Sequence, residues 1–435
     1  MASLTLASRY TADSGTVFLT GVQAMLRVLI DQAAADQAAG LNTAGLISGY
    51  PGSPLGGVDL EVLRNRGTFE AAQIHHQLGL NEELAATAIF GTQLLHEVPG
   101  ARYDGVFGMW FGKAPGVDRA ADALHHANFH GVGRNGGVLV VAGDDPHARS
   151  TILPTDSNAI LASFYMPVLA PGNVQEVIDY GRHGYALSRA AGLWVGFKLV
   201  ADIADSIGTA EVGRDRVQPI IPEVRFDGEV YRPSFKPKEV SRALIERERE
   251  ILYAKFEIAR QYARINGLNR VLGAGTGARR GIVVSGKTYF DVREALRSLG
   301  IDDAGLVSAG IRILKMGMVH PFDEQSALEF AEGLEDVLVV EDKRPFLEEA
   351  LKATLYGRPG APTVVGKSDA SGKLLMTACG ELSSDAIRDA LVAWLGLAAT
   401  PVRTPPHFNA LPESRTPYFC SGCPHNRSLK VPEGS

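Results

Sequence analysis

With 435 residues, 45% of them hydrophobic and 21% charged, the chain has the composition of a globular protein with room for two or three domains, each with its own core. A formal net charge of −6 without a dense basic patch argues against nucleic acid or an anionic membrane surface as a partner. No apolar run reaches the roughly 18 residues of a membrane span, and the first residues lack the charged start and apolar core of a secretory signal. Three cysteines give no disulfide framework, so the reducing cytoplasm is the expected compartment.

Strands and helices alternate with few interruptions. Apolar runs at 43–49, 104–111, 137–142 and 193–200 read as buried parallel strands, with helical patterns at about 20–38, 82–97, 117–130 and 174–191. Continuous apolar strands separated by amphipathic helices imply a parallel sheet covered on both faces. The stretch FEAAQIHH reads as a further strand ahead of the helix that opens at Asn81. This first α/β domain is expected to span 1–215.

Residues 216–280 differ in character. Proline and charge dominate 217–238, and a helix is expected from about Lys238 to Asn266. Leu244, Ile251, Ile258 and Ile265 place one apolar stripe on its charged surface, which suits a connector packed on a neighbouring domain better than a free coiled coil. A smaller α/β unit follows over 281–398. GIVVSG (281–286), DVLVVED (336–342) and TVVG (363–366) alternate with helices at 288–299, 323–333, 346–356 and 383–396, and a segment around 305–312 completes the pattern. The last stretch, 399–435, is a Pro-rich linker that leads into CSGCPHN.

Several stretches carry candidate chemistry. SGYPGSPLGG, from Ser48 to Gly57, follows the first strong strand, and open parallel sheets bind ligands beyond the carboxyl ends of their strands. Its glycines permit close backbone approach and Ser53 offers a hydroxyl, although such strand ends are also ordinary turns. NEELAATAIFGTQ puts Glu82 and Glu83 in a first helical turn, where any acid complements the macrodipole, and Glu83 reads as that ordinary acid. VLVVAGDDPHARS ends a strand in GDD and, with Asn173 further on, imitates a metal–diphosphate signature. Asp145 stands where that signature has glycine, and a loop follows where a diphosphate needs a helix N-terminus, so Asp144 and Asp145 are expected to line the crevice or cap a helix.

The glycines of GAGTGARRG (273–281) precede a strand instead of following one, which makes the stretch a linker and not a dinucleotide fingerprint. His75, His76, His125, His126 and His130 show no metal-ligand spacing, and Glu341 with Asp342 reads as a turn or domain contact. Cys420 and Cys423 form a C-x-x-C, which is half of a metal or iron–sulfur site; the only other cysteine is Cys379, so four cysteine ligands are not present, and a zinc module that includes His425 stays open.

In their order and spacing, SGYPGSPLGG, NEELAATAIFGTQ, NGGVLVVAGDDPHARST, LNRV, ILKMGMVHPF, VLVVEDKRP and CSGCPHN resemble the thiamine diphosphate-dependent 2-oxoacid:ferredoxin oxidoreductases, and among them the indolepyruvate:ferredoxin group. The resemblance covers nearly the whole chain. It implies an α/β fold in which a parallel-sheet, pyrimidine-binding domain is followed by a smaller transketolase C-terminal-like domain. The activating glutamate of the family falls on Glu82, after Asn81, and its carboxylate would bond the aminopyrimidine ring so that the imino tautomer removes the thiazolium C2 proton. The loop that meets the substrate carboxylate falls on Tyr50, Pro51, Gly52, Ser53 and Pro54, and no arginine is assigned to that carboxylate.

The resemblance further implies that Cys420 and Cys423 are ligands of a [4Fe–4S] cluster, with Mg2+ beside the diphosphate and coenzyme A as co-substrate. The expected activity is oxidative decarboxylation of an arylpyruvate to the aryl-acetyl-CoA with reduction of ferredoxin. The chain is expected to be the N-terminal part of a homo-oligomeric enzyme, inactive alone and completed by C-terminal domains carrying the diphosphate and the remaining cluster ligands. A sister enzyme for pyruvate or 2-oxoglutarate, and a catalytically silent scaffold subunit, are the alternatives.

Overall fold

The computed structural model describes residues 5–151, 153–236, 240–275, 277–398, 427 and 430–434. Residues up to Gly396 pack as one unit, organised by two sheets. The larger sheet has the spatial order Met318–His320, Val168–Leu169, Val195–Val200, Val138–Asp144, Gly105–Lys113, Thr43–Gly49 and Ile74–Leu78. Its neighbours run parallel except for the first pair, which is antiparallel.

Every residue of Val138–Asp144 and Val195–Val200 is buried, as two-sided cover requires. Helices Gly21–Ala38 and Val174–Ala191 pack together on one face, where Met25 and Val28 join Ile47, Met109 and Leu139. Helices Glu82–Gln93 and Ala121–His130 cover the other, where Ala85, Ile89 and Leu124 join Trp110, Val138 and Val140. Odd and even strand positions thus divide between the two faces.

The second sheet runs Asn269–Gly273, Ile311–Met316, Arg280–Ser285, Asp336–Val340 and Thr363–Val365, with only the first strand antiparallel. Ile282, Val284, Ile313 and Leu338 pack with Val292 and Leu296 of helix Gly286–Ser298 and with Ile387 and Leu391 of helix Ser384–Leu395. Their alternates Val283, Leu314 and Val339 enter the same apolar cluster as Ile89 and Trp110. One core therefore serves a face of each sheet, and the strand Met318–His320 crosses over to extend the larger one.

Several elements differ from the expectations. FEAAQIHH is divided between helix Arg66–Ala71 and strand Ile74–Leu78. The helix expected over 117–130 is two, Ala114–Arg119 and Ala121–His130. The helix from Glu82 stops at Gln93 instead of residue 97, and a short 3-10 turn, Leu95–Glu97, follows. Ser14–Thr20 and Ile207–Gly213 pair as an antiparallel ribbon that periodicity did not reveal. The connector is Arg242–Glu250, a π-helical turn Ile251–Lys255 and Phe256–Ile265, packed on helix Val174–Ala191. Its stripe is buried at Ile251 and Ile258 but exposed at Ile265, and Arg247, within the charged ERERE run, is buried with donors on the carbonyls of His130 and Ser234.

One polar contact between the two layers is built on Lys315. Its buried ammonium pairs with Glu176, in the first turn of helix Val174–Ala191, and lies 4.3 Å from the Tyr289 ring centroid and 4.8 Å from that of Phe290. Glu176 also accepts the Gly172 N–H at 2.9 Å and has Arg270 3.7 Å away. Burial pulls the Lys315 pKa below its ordinary value, against the attraction of Glu176. Removing one partner strands a buried charge. Lys315→Met is expected to destabilise the fold by about 3 kcal/mol, and Lys315→Met/Glu176→Gln to recover part of that loss; urea denaturation midpoints of the three proteins are the check.

Candidate functional site

The carboxyl ends of the parallel strands open onto one rim. Thr43–Gly49 ends in Tyr50–Pro54, Ile74–Leu78 leads to Asn81 and Glu82, Gly105–Lys113 leads into helix Ala114–Arg119, and Val138–Asp144 runs into Asp145. This is where an open parallel sheet presents a crevice.

The rim is closely packed. A Cβ at Gly49 would lie 2.1 Å from the Phe111 carbonyl oxygen, and one at Gly143 would lie 2.9 Å from Leu55 Cγ and 3.0 Å from Pro54 Cδ. The Tyr50–Pro54 loop thus rests on the glycine end of the central strand. The Leu55 N–H donates to the Gly52 carbonyl at 2.7 Å, closing the turn, and Tyr50 and Pro51 stay exposed.

Asn81 caps helix Glu82–Gln93, its Oδ1 accepting the Leu84 N–H at 2.8 Å. Of the two acids that follow, Glu83 is exposed and Glu82 is only 7% exposed. Trp110 Nε1 donates to the Glu82 carbonyl at 2.9 Å, fixing the helix start on the sheet. Against the Glu82 side chain lies Gly116, where a Cβ would come 2.8 Å from Glu82 Cγ and 2.9 Å from Oε1. Among the described residues the carboxylate has one polar partner, Arg119, with Nε 3.5 Å from Oε2, and its hydrogen-bond acceptor capacity is otherwise unused.

The acids of GDD serve the protein. Asp144 is fully buried and accepts the Ser157 N–H at 2.9 Å and the Ser157 hydroxyl at 2.6 Å, with Lys198 Nζ 3.7 Å away. Burial pulls the Lys198 pKa down, but Asp156 at 2.6 Å and Asp144 outweigh it and hold the ammonium above its ordinary value. Asp145 accepts the N–H groups of Arg149 at 3.1 Å and Ser150 at 2.8 Å. Asn173 caps helix Val174–Ala191 through the Glu176 N–H at 2.8 Å. Glu341 accepts the N–H groups of Phe346, Leu347 and Glu348, the start of helix Leu347–Leu355, and Asp342 accepts that of Leu382.

The histidines are dispersed. His76 lies 2.7 Å from Asp59, His125 stacks on Phe164 at 5.5 Å and His126 is 3.7 Å from Asp122. Among the described residues no group of three or more His, Cys, Asp or Glu side chains is placed to share a metal ion. Cys420, Cys423 and His425 lie outside the described residues. No helix of the described residues is long and apolar enough to cross a membrane.

A family model, the indolepyruvate oxidoreductase domain, matches residues 269–401. The indolepyruvate oxidoreductase subunit IorA of Methanothermobacter marburgensis is 28% identical over 411 residues, covering 94% of this chain and 59% of the relative. That of Pyrococcus horikoshii is 26% identical over 427 residues, covering 95% and 58%. The chain is a homologue of these oxidoreductase subunits. It spans about three fifths of the length of the curated relatives it matches. The fold is that of a solved 2-oxoglutarate:ferredoxin oxidoreductase from Magnetococcus marinus, with a TM-score of 0.60 at 16% identity over 88% of this chain and 65% of that one. A split gene transketolase, described as an inactive beta4 tetramer, aligns with a TM-score of 0.52 at 15% identity over 87% of this chain and 99% of that one.

Of the residues singled out from the sequence, Ser53 and the Asp145 turn come into direct contact, while Glu82 stands on a neighbouring strand end with Gly116 and Arg119. Gly116 carries no signal in the sequence, because its meaning comes from Glu82 lying against it. Gly116→Ala is expected to swing Glu82 from its present position at a cost of about 1 kcal/mol, the low end for overpacking, since the atoms it meets belong to one flexible side chain; a crystal structure of the variant and its urea midpoint check both halves.

Proposed function

We propose that the chain carries the activating glutamate, Glu82, of a thiamine diphosphate-dependent indolepyruvate:ferredoxin oxidoreductase. The observation that carries the reading is the Glu82 carboxylate, buried at a helix start on the sheet rim with its acceptor capacity unused, in a homologue of indolepyruvate oxidoreductase subunits.

The residues fit one half of the cofactor. A carboxylate with free acceptor capacity suits the N–H of an aminopyrimidine ring, and Gly116, having no side chain, lets that carboxylate lie against it. They do not fit the diphosphate half, since Asp144 is bonded to Ser157 and beside Lys198, and Asn173 caps a helix. Mg2+ and the diphosphate are therefore assigned to another segment or subunit. The layer of residues 1–215 acts as the pyrimidine-binding half, residues 281–398 as the transketolase C-terminal-like unit, and 216–280 as the connector.

Bound thiamine diphosphate supplies the carbon nucleophile and electron sink that a 2-oxo acid needs to lose carbon dioxide. The chain contributes the rest. Glu82 holds a proton position at the ring, and Asn81 fixes the helix that carries it. Tyr50, Pro51, Gly52, Ser53 and Pro54 form the loop that meets the substrate carboxylate. Cys420 and Cys423 would hold two of the four ligand positions of a [4Fe–4S] cluster, which would supply one-electron chemistry toward ferredoxin, with coenzyme A as the acyl acceptor.

Exposed apolar side chains flank Glu82 in the chain: Leu78, Leu80 and Leu84 are 60%, 85% and 49% exposed. Such a patch supports a second surface that covers the rim and completes the site. In the assembled enzyme, Glu82→Gln is expected to lower kcat for indolepyruvate by about 10²–10⁴-fold with the fold intact. Unaltered turnover in that variant overturns the assignment, and comparison of indolepyruvate with pyruvate and 2-oxoglutarate on the parent enzyme tests the substrate class.

A further inference from the structure

The GDD motif, which the cofactor reading leaves aside, faces the substrate loop. Asp145 is 1% exposed, and both of its carboxylate oxygens are used. Oδ1 accepts the Arg149 N–H at 3.1 Å, and Oδ2 accepts the Ser150 N–H at 2.8 Å and the Ser150 hydroxyl at 3.2 Å. The Ser150 hydroxyl in turn is hydrogen-bonded to that of Ser53.

The direction of this chain follows from its ends. An ionised carboxylate only accepts, and a hydroxyl has one proton. Burial alone would raise the Asp145 pKa, but the donors of Ser150 and Arg149 outweigh it and hold the carboxyl below its ordinary range. Ser150 therefore gives its proton to Asp145 and accepts from Ser53. The Ser53 proton points into the protein, leaving that oxygen without a proton for anything above the loop. Gly52 and Ser53 keep backbone N–H groups with no partner among the described residues, whereas Pro51 and Pro54 have none to offer.

The turn that carries Ser150 is itself anchored. The Asp145 N–H donates to Thr155 Oγ1 at 2.8 Å and the Thr155 N–H to the Asp145 carbonyl at 3.1 Å. Arg149 bonds Asp202 beyond strand Val195–Val200 and, at 2.6 Å, Glu381 ahead of the last helix of the second layer.

We propose that Asp145 and Ser150 are positioning residues for the Tyr50–Pro54 loop, and that the directed chain Ser53 to Ser150 to Asp145 leaves the backbone N–H groups of Gly52 and Ser53, not the Ser53 hydroxyl, to receive the substrate carboxylate. The proposal rests on the reading of that loop as the substrate contact. It predicts that the two hydroxyls act as one unit. In the assembled enzyme, Ser53→Ala and Ser150→Ala each raise KM for indolepyruvate roughly fivefold, the worth of about one hydrogen bond, with kcat little changed. The double variant is no worse than either single one, and Ser150→Thr, which keeps the hydroxyl, restores KM. Hydrogen exchange over residues 48–57 rises in Ser150→Ala while strand Val195–Val200 keeps its protection. A Ser53→Ala loss well beyond that of Ser150→Ala, or additive losses in the double variant, overturns the proposal by showing that Ser53 touches substrate directly. Unchanged exchange over 48–57 overturns the brace. An enzyme inactive toward every 2-oxo acid overturns the functional reading instead, and the exchange measurement still decides the brace.

Discussion

The two-sided burial of the strand Val138–Asp144 is the constraint from which the rim follows. A strand buried on both faces brings its final carboxylate to a place that water does not reach, and an unpaired charge there is not tolerated. Asp144 meets that demand through Ser157 and Lys198, and Lys198 recruits Asp156. The chain must therefore return to the end of the strand, so the excursion that starts at Asp145 is closed at its base by Asp144–Ser157 and Asp145–Thr155 contacts. These contacts hold the two ends of the excursion together at the rim. The residue before these acids is glycine because Pro54 and Leu55 occupy the volume of its missing side chain. One strand end thus fixes both its own loop and that of Thr43–Gly49.

Much of this was legible in the sequence, and the physics explains which part. Strands such as Val138–Asp144 and Val195–Val200 and helices such as Gly21–Ala38 and Val174–Ala191 stand out because each meets a uniform environment over its length, and uniform environments write periodic sequences. The strands Val168–Leu169 and Met318–His320 are too short to carry a period, and the ribbon Ser14–Thr20 with Ile207–Gly213 depends on a partner far away in the chain. The π-helical turn at Ile251–Lys255 interrupts the regular helix that carries the stripe, and the charged run ERERE hides Arg247 because backbone carbonyls beneath it take its donors.

The site was legible to a smaller degree. Glu82 and Glu83 are adjacent acids in one helical turn, and nothing local separates an acid that complements the helix dipole from one that faces a ligand. What separates them is tertiary: Trp110 fixes the helix start, and Gly116 and Arg119 lie against Glu82 alone. Asp145 shows the converse. Its place in a motif that imitates a metal site is a feature of sequence, while its role as acceptor for the turn is a feature of the fold, because two backbone N–H groups and a hydroxyl already occupy the oxygens a cation would need.

On the proposed reading, the balance at Glu82 turns on what covers it. A carboxylate that meets a ring needs its oxygens free to accept, and among the described residues only Arg119 approaches those of Glu82. The Arg119 side chain is 60% exposed and 3.5 Å away, so water weakens its attraction for the carboxylate. Covering the rim through the exposed leucines around Glu82 would remove water from the carboxylate and from the arginine together. If Arg119 stayed in contact, its strengthened attraction would compete with the ring for the carboxylate oxygens. If a surface that completes the site drew Arg119 away to an anionic group of its own, both oxygens of Glu82 would be left free to accept. The arrangement therefore favours a partner surface that presents negative charge near Arg119, and an anionic diphosphate carried by that surface has the required chemistry.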